Sequence, residues 1–490
     1  TAVPAEVVIK WGEDSIYHPG ASFKYFGDKN RVEVIRHKEG VGEAPFYSSY
    51  HNMDFYVPTL TWIKGDSKMI FGSLKGEANT RASFESANFF DFDRYDALTG
   101  DGNRAFNSLA KLAMQGGYGV SLKKYAEYAR MTEDEAVYNI ISFANKGFVY
   151  YNVDSRHIII KEKLYDFMEA AANKVDYDNI YFVSKVDKSS DPNAVINIDN
   201  YDLDIYGISK VNISDSQAVA MFADKNTEKL TVKKNLDMLF NGVVQAGNLD
   251  FYGDSIFFSY ENFSIDLGKV DSVAVNVLSK SESGKYRYVQ VRSKIQEVTG
   301  TLQIDEPNNK RGHGASKYPT LNSTEDSYVY YDKKSIQNGA YGKDEMYYKV
   351  YPFVLDSIDK ITKEGFQLQG ELFSNNIFPV IKDTLVITED YSLGLEYTTP
   401  PGGLPMYGGL ATFSNDIKLS ETTGLQGSGD LNFITATLSS KRMSIQPDSA
   451  FGIGQTITNV ERLGNPSVPK FSGADYDFSL NKTDEELRVT

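Results

Sequence analysis

Leu203-Asp204-Ile205-Tyr206-Gly207, repeated further on as Leu249-Asp250-Phe251-Tyr252-Gly253, decides the fold class of this chain. Ile256-Phe257-Phe258-Ser259-Tyr260 and Phe263-Ser264-Ile265-Asp266-Leu267 follow at once. In each run a large apolar residue returns at every second position, which places the set on one face of a pleated strand and turns its polar neighbours outward. A third copy, without the glycine, is Met53-Asp54-Phe55-Tyr56. Recurrence of one strand cassette predicts sheets extended by similar rungs, as in solenoids and long meanders.

The same period runs through most of the chain. Residues 1–100 alternate strand-like runs such as Arg31-Val32-Glu33-Val34-Ile35 with the turn formers Gly27-Asp28-Lys29-Asn30 and Lys64-Gly65-Asp66, and predict an antiparallel β region. From about residue 101 the spacing becomes helical. Ala105, Phe106, Leu109 and Leu112 share one helix face, a second helix spans 121–130, and Thr132-Glu133-Asp134-Glu135 reads as a capping box opening a third that stops at Gly147. Phe148-Val149-Tyr150-Tyr151 and His157-Ile158-Ile159-Ile160 then form a hairpin, and 164–172 returns to helix. Strands resume in 175–305, in 306–400 behind a long connector, and in 401–490 with a charged end expected to fray. Pro400-Pro401-Gly402-Gly403 punctuates the chain most sharply and predicts an internal boundary. The expected fold is therefore mainly β with one inserted α-helical module, its sheets antiparallel and extended or solenoid-like, as a curved sheet or stacked sandwiches.

Composition narrows function. The 490 residues carry 33 Tyr and 29 Phe but only 2 Trp, together with 39 Gly, which is the make-up of strands and turns. A net charge of −15 repels a polyanion and disfavours nucleic acid as a partner. Without cysteine there are no disulfides, thiol nucleophiles or cysteine-ligated metals. No apolar run approaches the ~18 residues of a membrane-spanning helix. The chain opens Thr1-Ala2-Val3-Pro4 with no basic and apolar leader, so it is expected to be a mature or excised piece.

The sequence holds no recognisable catalytic constellation. The histidines at 18, 37, 51, 157 and 313 share no metal-binding spacing, and neither a nucleophile elbow nor a dinucleotide fingerprint occurs. No catalytic residue, cofactor or metal is expected. The acidic clusters Asp91, Asp93, Asp96, Asp101 with Asn103, and Asp199, Asp202, Asp204, offer carboxylates to calcium, but turn and cap roles outweigh that reading. The connector 305–319 is locally basic and glycine-bearing; Lys310, Arg311 and Lys317 with its backbone amides are candidates for holding a small anion, against the plainer role of a solvated link.

Three short helices followed by a hairpin resemble a winged helix across residues 103–161. Where a DNA reader would present Arg, Lys or Asn, this module has Glu133, Asp134 and Glu135, so a protein-contact or spacer role is expected. Phe240-Asn241-Gly242-Val243-Val244-Gln245 with the strand after it resembles the rungs of OstA-like lipopolysaccharide-transport domains. Gly424-Leu425-Gln426-Gly427-Ser428-Gly429-Asp430-Leu431 is similar to the rungs of AsmA-type lipid-bridge proteins. Those likenesses imply an apolar groove carrying lipid or glycolipid, with Phe251, Ile256, Phe258, Phe263 and Ile265 as groove candidates against the alternative of a closed core. The order of segments as a whole resembles the large β-rich envelope proteins of Bacteroidota, which implies a periplasmic, outer-membrane-associated or cell-surface location. It also implies glycosylation at Asp-Ser/Thr-apolar triplets, matched at Ser15, Ser255, Ser272, Ser357, Thr384 and Ser449. The leading expectation is a non-catalytic, elongated β-rich scaffold with protein partners in an envelope assembly. A lipid or glycolipid carrier and a carbohydrate-binding surface protein are the alternatives.

Overall fold

In the computed structural model, residues 1–37, 40–73, 80–100, 104–116, 118–187, 191–280, 284–314, 317–460 and 470–490 are described. Asp101 and Asn103, named above, and residues 315 and 316 of the connector lie outside them. The chain is mainly β, with antiparallel pairing between its strands. It divides into two compact units, one of Thr1–Gly247, Gly253–Leu267 and Leu302–Thr320, the other of Asn248–Tyr252, Gly268–Thr301 and Leu321–Thr490.

The first unit opens with β1 (Ala2–Trp11), β2 (Asp14–Phe26), β3 (Arg31–Ile35), β4 (Phe46–Ser48), β5 (Met53–Tyr56), β6 (Thr59–Ile63), β7 (Lys68–Gly72) and β8 (Thr80–Ser86). Their pairings close on themselves. One layer runs β3, β6, β7, Ala194–Asn197, Leu203–Ile205 and Leu230–Val232. The other runs β4, β5, β8, Tyr181–Val186, Ile208–Ser214 and Val219–Ala223. Strand β2 joins the layers at one edge, pairing with β4 through its first half and β3 through its second. Strand Met238–Ala246 joins them at the other, pairing with Leu230–Val232 and then Val219–Ala223. The core lies between the layers, where Phe71 of one meets Phe46 and Phe55 of the other edge-on, with ring centroids 6.0 and 5.5 Å apart.

Of the arrangements expected, this unit takes the two-layered one. The repeated cassettes do not stack as neighbouring rungs: Met53–Tyr56 pairs with β4 and β8 in one layer, Leu203–Ile205 with Ala194–Asn197 and Leu230–Val232 in the other. What recurs is the local demand of a half-buried strand, not a structural repeat. In the first cassette Gly207 is required by its surroundings, with φ +66° and the carbonyl oxygen of Lys185 2.0 Å from where a Cβ would stand.

The helical module is an insertion between β8 and Tyr181–Val186, which pair directly with each other. It holds α1 (Phe92–Thr99), α2 (Arg104–Met114), α3 (Leu122–Ala129), α4 (Glu133–Asn145) and α5 (Glu162–Ala171). It also has a small sheet of β9 (Gly119–Ser121), β10 (Val149–Asn152) and β11 (His157–Ile160). The expected capping box is formed by Thr132 and Glu135, and Gly147 ends α4 with φ +78°. Phe106, Phe143, Phe148 and Phe167 form its core. Helix α1 falls in a stretch expected to be strand; Asp91 caps it by accepting from the Asp93 amide at 2.8 Å. An Asp at the N-cap overrides the alternating aromatics around it.

In the second unit an antiparallel meander runs from Gln367–Ser374 through Ile381–Ile387, Leu393–Thr398, Ala411–Ser420, Gly424–Phe433, Ala436–Ile445, Ser449–Asn459 and Phe471–Asn481 to Glu486–Val489. Pro400–Gly403 is a turn inside this unit, the Gly403 amide donating to the Pro400 carbonyl. The end expected to fray is instead a hairpin. The Asn481 side chain accepts from the Thr483 and Asp484 amides to make the turn, and Leu487 and Val489 align with Leu480 and Phe478.

Candidate functional site

Where the helical module meets the sheet, one cross-strand row of polar residues faces α5. Tyr17 on β2 is opposite Tyr47 on β4, Tyr47 opposite Asp54 on β5, and Asp54 opposite Glu85 on β8. Partners in register share a face, so two phenols and two carboxylates stand in line. Their neighbours Met53, Phe55 and Phe84 point into the sandwich core, which makes β5 and β8 buried on both faces. Helix α5 buries Leu164, Phe167 and Ala170 in the module and thereby turns Lys163 and Asp166, one helical turn apart, toward the row.

Lys163 enters between the two carboxylates. Its Nζ donates to Asp54 Oδ2 and, at 3.0 Å, to Glu85 Oε1, while the Arg94 guanidinium of α1 grips Glu85 with both nitrogens at 3.0 and 2.8 Å. Burial alone would raise the Glu85 carboxyl, but Lys163 and Arg94 overcome it and hold the group below the usual carboxylate range. Burial likewise works against the Lys163 ammonium, and Asp54 and Glu85 more than reverse it, so its pKa is raised. The four side chains fasten the module to the sheet.

Beside this cluster lies a cavity of about 560 Å3, lined by Tyr17, Tyr47 and Asp54 of the row, by Ser15, Asn52 and Asn88, and by Lys161, Glu162, Lys163 and Asp166 at the start of α5. A smaller one of about 130 Å3 shares Lys163 and Asp166 and is walled by Phe90, Phe167 and Tyr177. The larger cavity is in the range of small-molecule sites. Its polar groups are in two states. Asp54 and Lys163 are mutually engaged. Lys161 has its Nζ 5.2 Å from the centre of the Tyr17 ring, and its side chain makes no ion pair or hydrogen bond with a described residue. Burial pushes this amine down, Asp54 opposing and Lys163 adding. Asp166 is pushed up by burial and by Glu162 and Glu169. Burial also raises the phenols of Tyr17 and Tyr47, helped by Glu6 and Asp54 respectively. Both phenols therefore remain hydroxyl donors at neutral pH.

A second buried polar group lies close by. Asp178 is fully buried and accepts from Ser86 Oγ at 2.7 Å, Tyr260 Oη at 2.6 Å and the Ile180 amide at 2.9 Å. Burial raises its carboxyl against those three bonds.

In the basic connector the backbone amides expected to face a small anion are engaged by a carboxylate of the same unit. The amides of Lys310 and Arg311 donate to the two oxygens of Asp176 at 2.7 and 3.2 Å. The Lys310 amine donates to the Pro307 carbonyl and lies 5.0 Å from the Tyr260 ring centre; Arg311 donates to Asn173 Oδ1, and Lys317 stands 3.7 Å from Glu306. The five groove candidates are closed off from solvent. Phe251 in the second unit and Ile256, Phe258, Phe263 and Ile265 in the first each have 0 % exposure. The alternation marks packed interior, and period alone does not distinguish a groove wall from a core. In the acidic clusters, Asp91 is a helix cap, Asp202 and Asp204 pair with Lys233 and Lys229, and the Asp199 amide closes a turn on Asn197.

Lys161, Lys163, Asp166 and the Tyr17, Tyr47, Asp54, Glu85 row escaped the reading of the sequence. Lys163 and Asp54 are separated by 109 positions, and the charges at the start of α5 read as a solvated first turn. One signal was present: Asp54 stands between Met53 and Phe55 and Glu85 follows Phe84 in runs read as half-buried strands, and a carboxylate that becomes buried demands a cation. Comparison of the chain with protein-family models, curated proteins and solved structures returned no match.

Proposed function

We propose that the chain is a non-catalytic β-rich scaffold or binding protein of the bacterial cell envelope. The observation that carries this reading is the Lys163, Asp54, Glu85 and Arg94 cluster. The charges that would make a reactive centre are bonded to one another, in a form that locks the helical module onto the sheet. The module then presents exposed side chains to partners, among them Tyr118 and Tyr138 at 75 % and 77 % exposure. Envelope residence is supported by the likeness to Bacteroidota envelope proteins and by the Asp-Ser/Thr-apolar triplets: none of Ser15, Ser255, Ser272, Ser357, Thr384 and Ser449 is buried. Among the described residues no helix is long and apolar enough to cross a membrane. The test is fractionation of the native cells with an antibody to the chain, followed by intact mass measurement. The expected result is recovery with the envelope and mass added at the triplets; a cytosolic protein of unmodified mass would overturn the reading.

A further inference from the structure

The cavity under α5 has more unused polar groups than a structural joint needs. Tyr17, Tyr47, Asn52, Lys161, Glu162 and Asp166 all line it, and none of their side chains bonds to another described residue. They divide by sign. Lys161 lies over the Tyr17 ring with two phenol hydroxyls on the sheet side, while Glu162 and Asp166 are carboxylates on the helix side.

An anion alone would satisfy Lys161 and face two like charges. A cation alone would satisfy the carboxylates and face the amine. A neutral polyol would leave Lys161 and Asp166, each partly withdrawn from water, without an opposite charge. From this charge pattern we infer that the cavity binds a small zwitterion, an amine and a carboxylate on one molecule of the size of a free amino acid or short peptide. The carboxylate sits on Lys161 and the phenols, and the ammonium on Glu162 and Asp166. The volume of about 560 Å3 admits such a ligand whole. The Lys161 amine is held down by burial and Asp166 up by burial and its acidic neighbours, and each is returned toward its usual range by the opposite end of the ligand.

This inference goes beyond the scaffold reading and is decided separately: location in the cell tests that one, ligand titration this one. The probes are the common L-amino acids and glycylglycine, each beside its N-acetyl and C-amide derivatives, titrated calorimetrically against the whole chain and checked by thermal shift. At least one zwitterion should bind ten-fold or more tightly than either blocked form. Lys161→Met should remove the preference over the amide, and Asp166→Asn should weaken the preference over the N-acetyl form. Tyr17→Phe, which keeps the ring under Lys161, should weaken binding several-fold in a protein that folds normally. Absence of binding by every probe would overturn the proposal, as would equal affinity for the blocked forms, or unchanged affinity in folded Lys161→Met.

Discussion

Lys163 shows how far one side chain's role depends on residues remote in sequence. Its side chain is 12 % exposed and those of its partners Asp54 and Glu85 only 5 % and 2 %, so removing it leaves two carboxylates in a low-dielectric joint with Arg94 as the remaining cation. Breaking a buried pair from one side costs about 3–5 kcal/mol, most of it the stranded charge. Lys163→Met should therefore lower stability by about that much, read from urea midpoints at neutral pH. Lys418→Met, which breaks an exposed pair with Glu396, should change it by less than about 1 kcal/mol. Similar losses in both would show that the buried cluster is not the joint described. At this scale the sequence was least legible. Lys310, Arg311 and Lys317 look like an anion site because their charge is local, and the amides of the first two do bind a carboxylate, that of Asp176. Lys161 and Lys163 look like ordinary surface residues because what makes them unusual arrives from β2, β5 and β8.

Elements were read more easily than their pairing. The Thr132 capping box and the Gly147 stop are local chemistry, complete within a few residues. So is the period-2 burial of strand Leu249–Ser259. Registers are long-range, and nothing in Met53–Tyr56 names its neighbours. The bend of Met238–Ala246 is a case where one residue decides an element. Gly242 has φ +143°, and a Cβ there would stand 2.2 Å from the Phe222 carbonyl oxygen and 2.9 Å from the Asp224 amide nitrogen. It sits where the strand leaves one layer for the other. Gly242→Ala should cost at least about 2 kcal/mol, since strained backbone and a backbone clash add. Gly12→Ala, at φ +56° with open space around it, should cost about 1 kcal/mol from conformation alone. Thermal or urea unfolding of the two variants gives the comparison, and equal costs would remove Gly242 from its role at the layer edge.

At the scale of the molecule, the two units differ in a way that acid should reveal. All five histidines, 18, 37, 51, 157 and 313, belong to the first unit. Two are buried and held neutral. His18 Nδ1 accepts from the Gly20 amide at 3.1 Å, so its Nε2 donates to the Ala44 carbonyl at 2.9 Å; a second proton would set one donor against another. His51 Nε2 faces the Tyr201 carbonyl at 2.8 Å and Nδ1 meets Ser48 Oγ at 2.8 Å. Burial, with Arg36 adding at His18, lowers each to about 4 from the ordinary 6.5. A folded value below the unfolded one means that the unfolded chain binds more protons between them. Stability is thus full above about pH 6.5, falls as the pH drops toward 4, and levels off below it, by on the order of 3 kcal/mol for each histidine. Asp178 and Asp166, raised in the fold, take up protons early and offset part of that loss, while Glu85, lowered, extends it to more acid pH. The second unit has no histidine, and its Glu371 is lowered to about 2 by bonds from Tyr351, Lys382 and Lys349. Hydrogen exchange at pH 7 and pH 5, corrected for intrinsic rates, should show peptides of β2, β4 and β5 losing protection. Those of strands Ala411–Ser420 to Ser449–Asn459 should keep theirs. His51→Gln retains a donor for the Tyr201 carbonyl and should reduce the pH dependence of the first unit by about half, because His18 alone then carries it. Equal acid sensitivity of both sets of peptides, or an unchanged slope in that variant, would mean that the buried imidazoles do not govern the response.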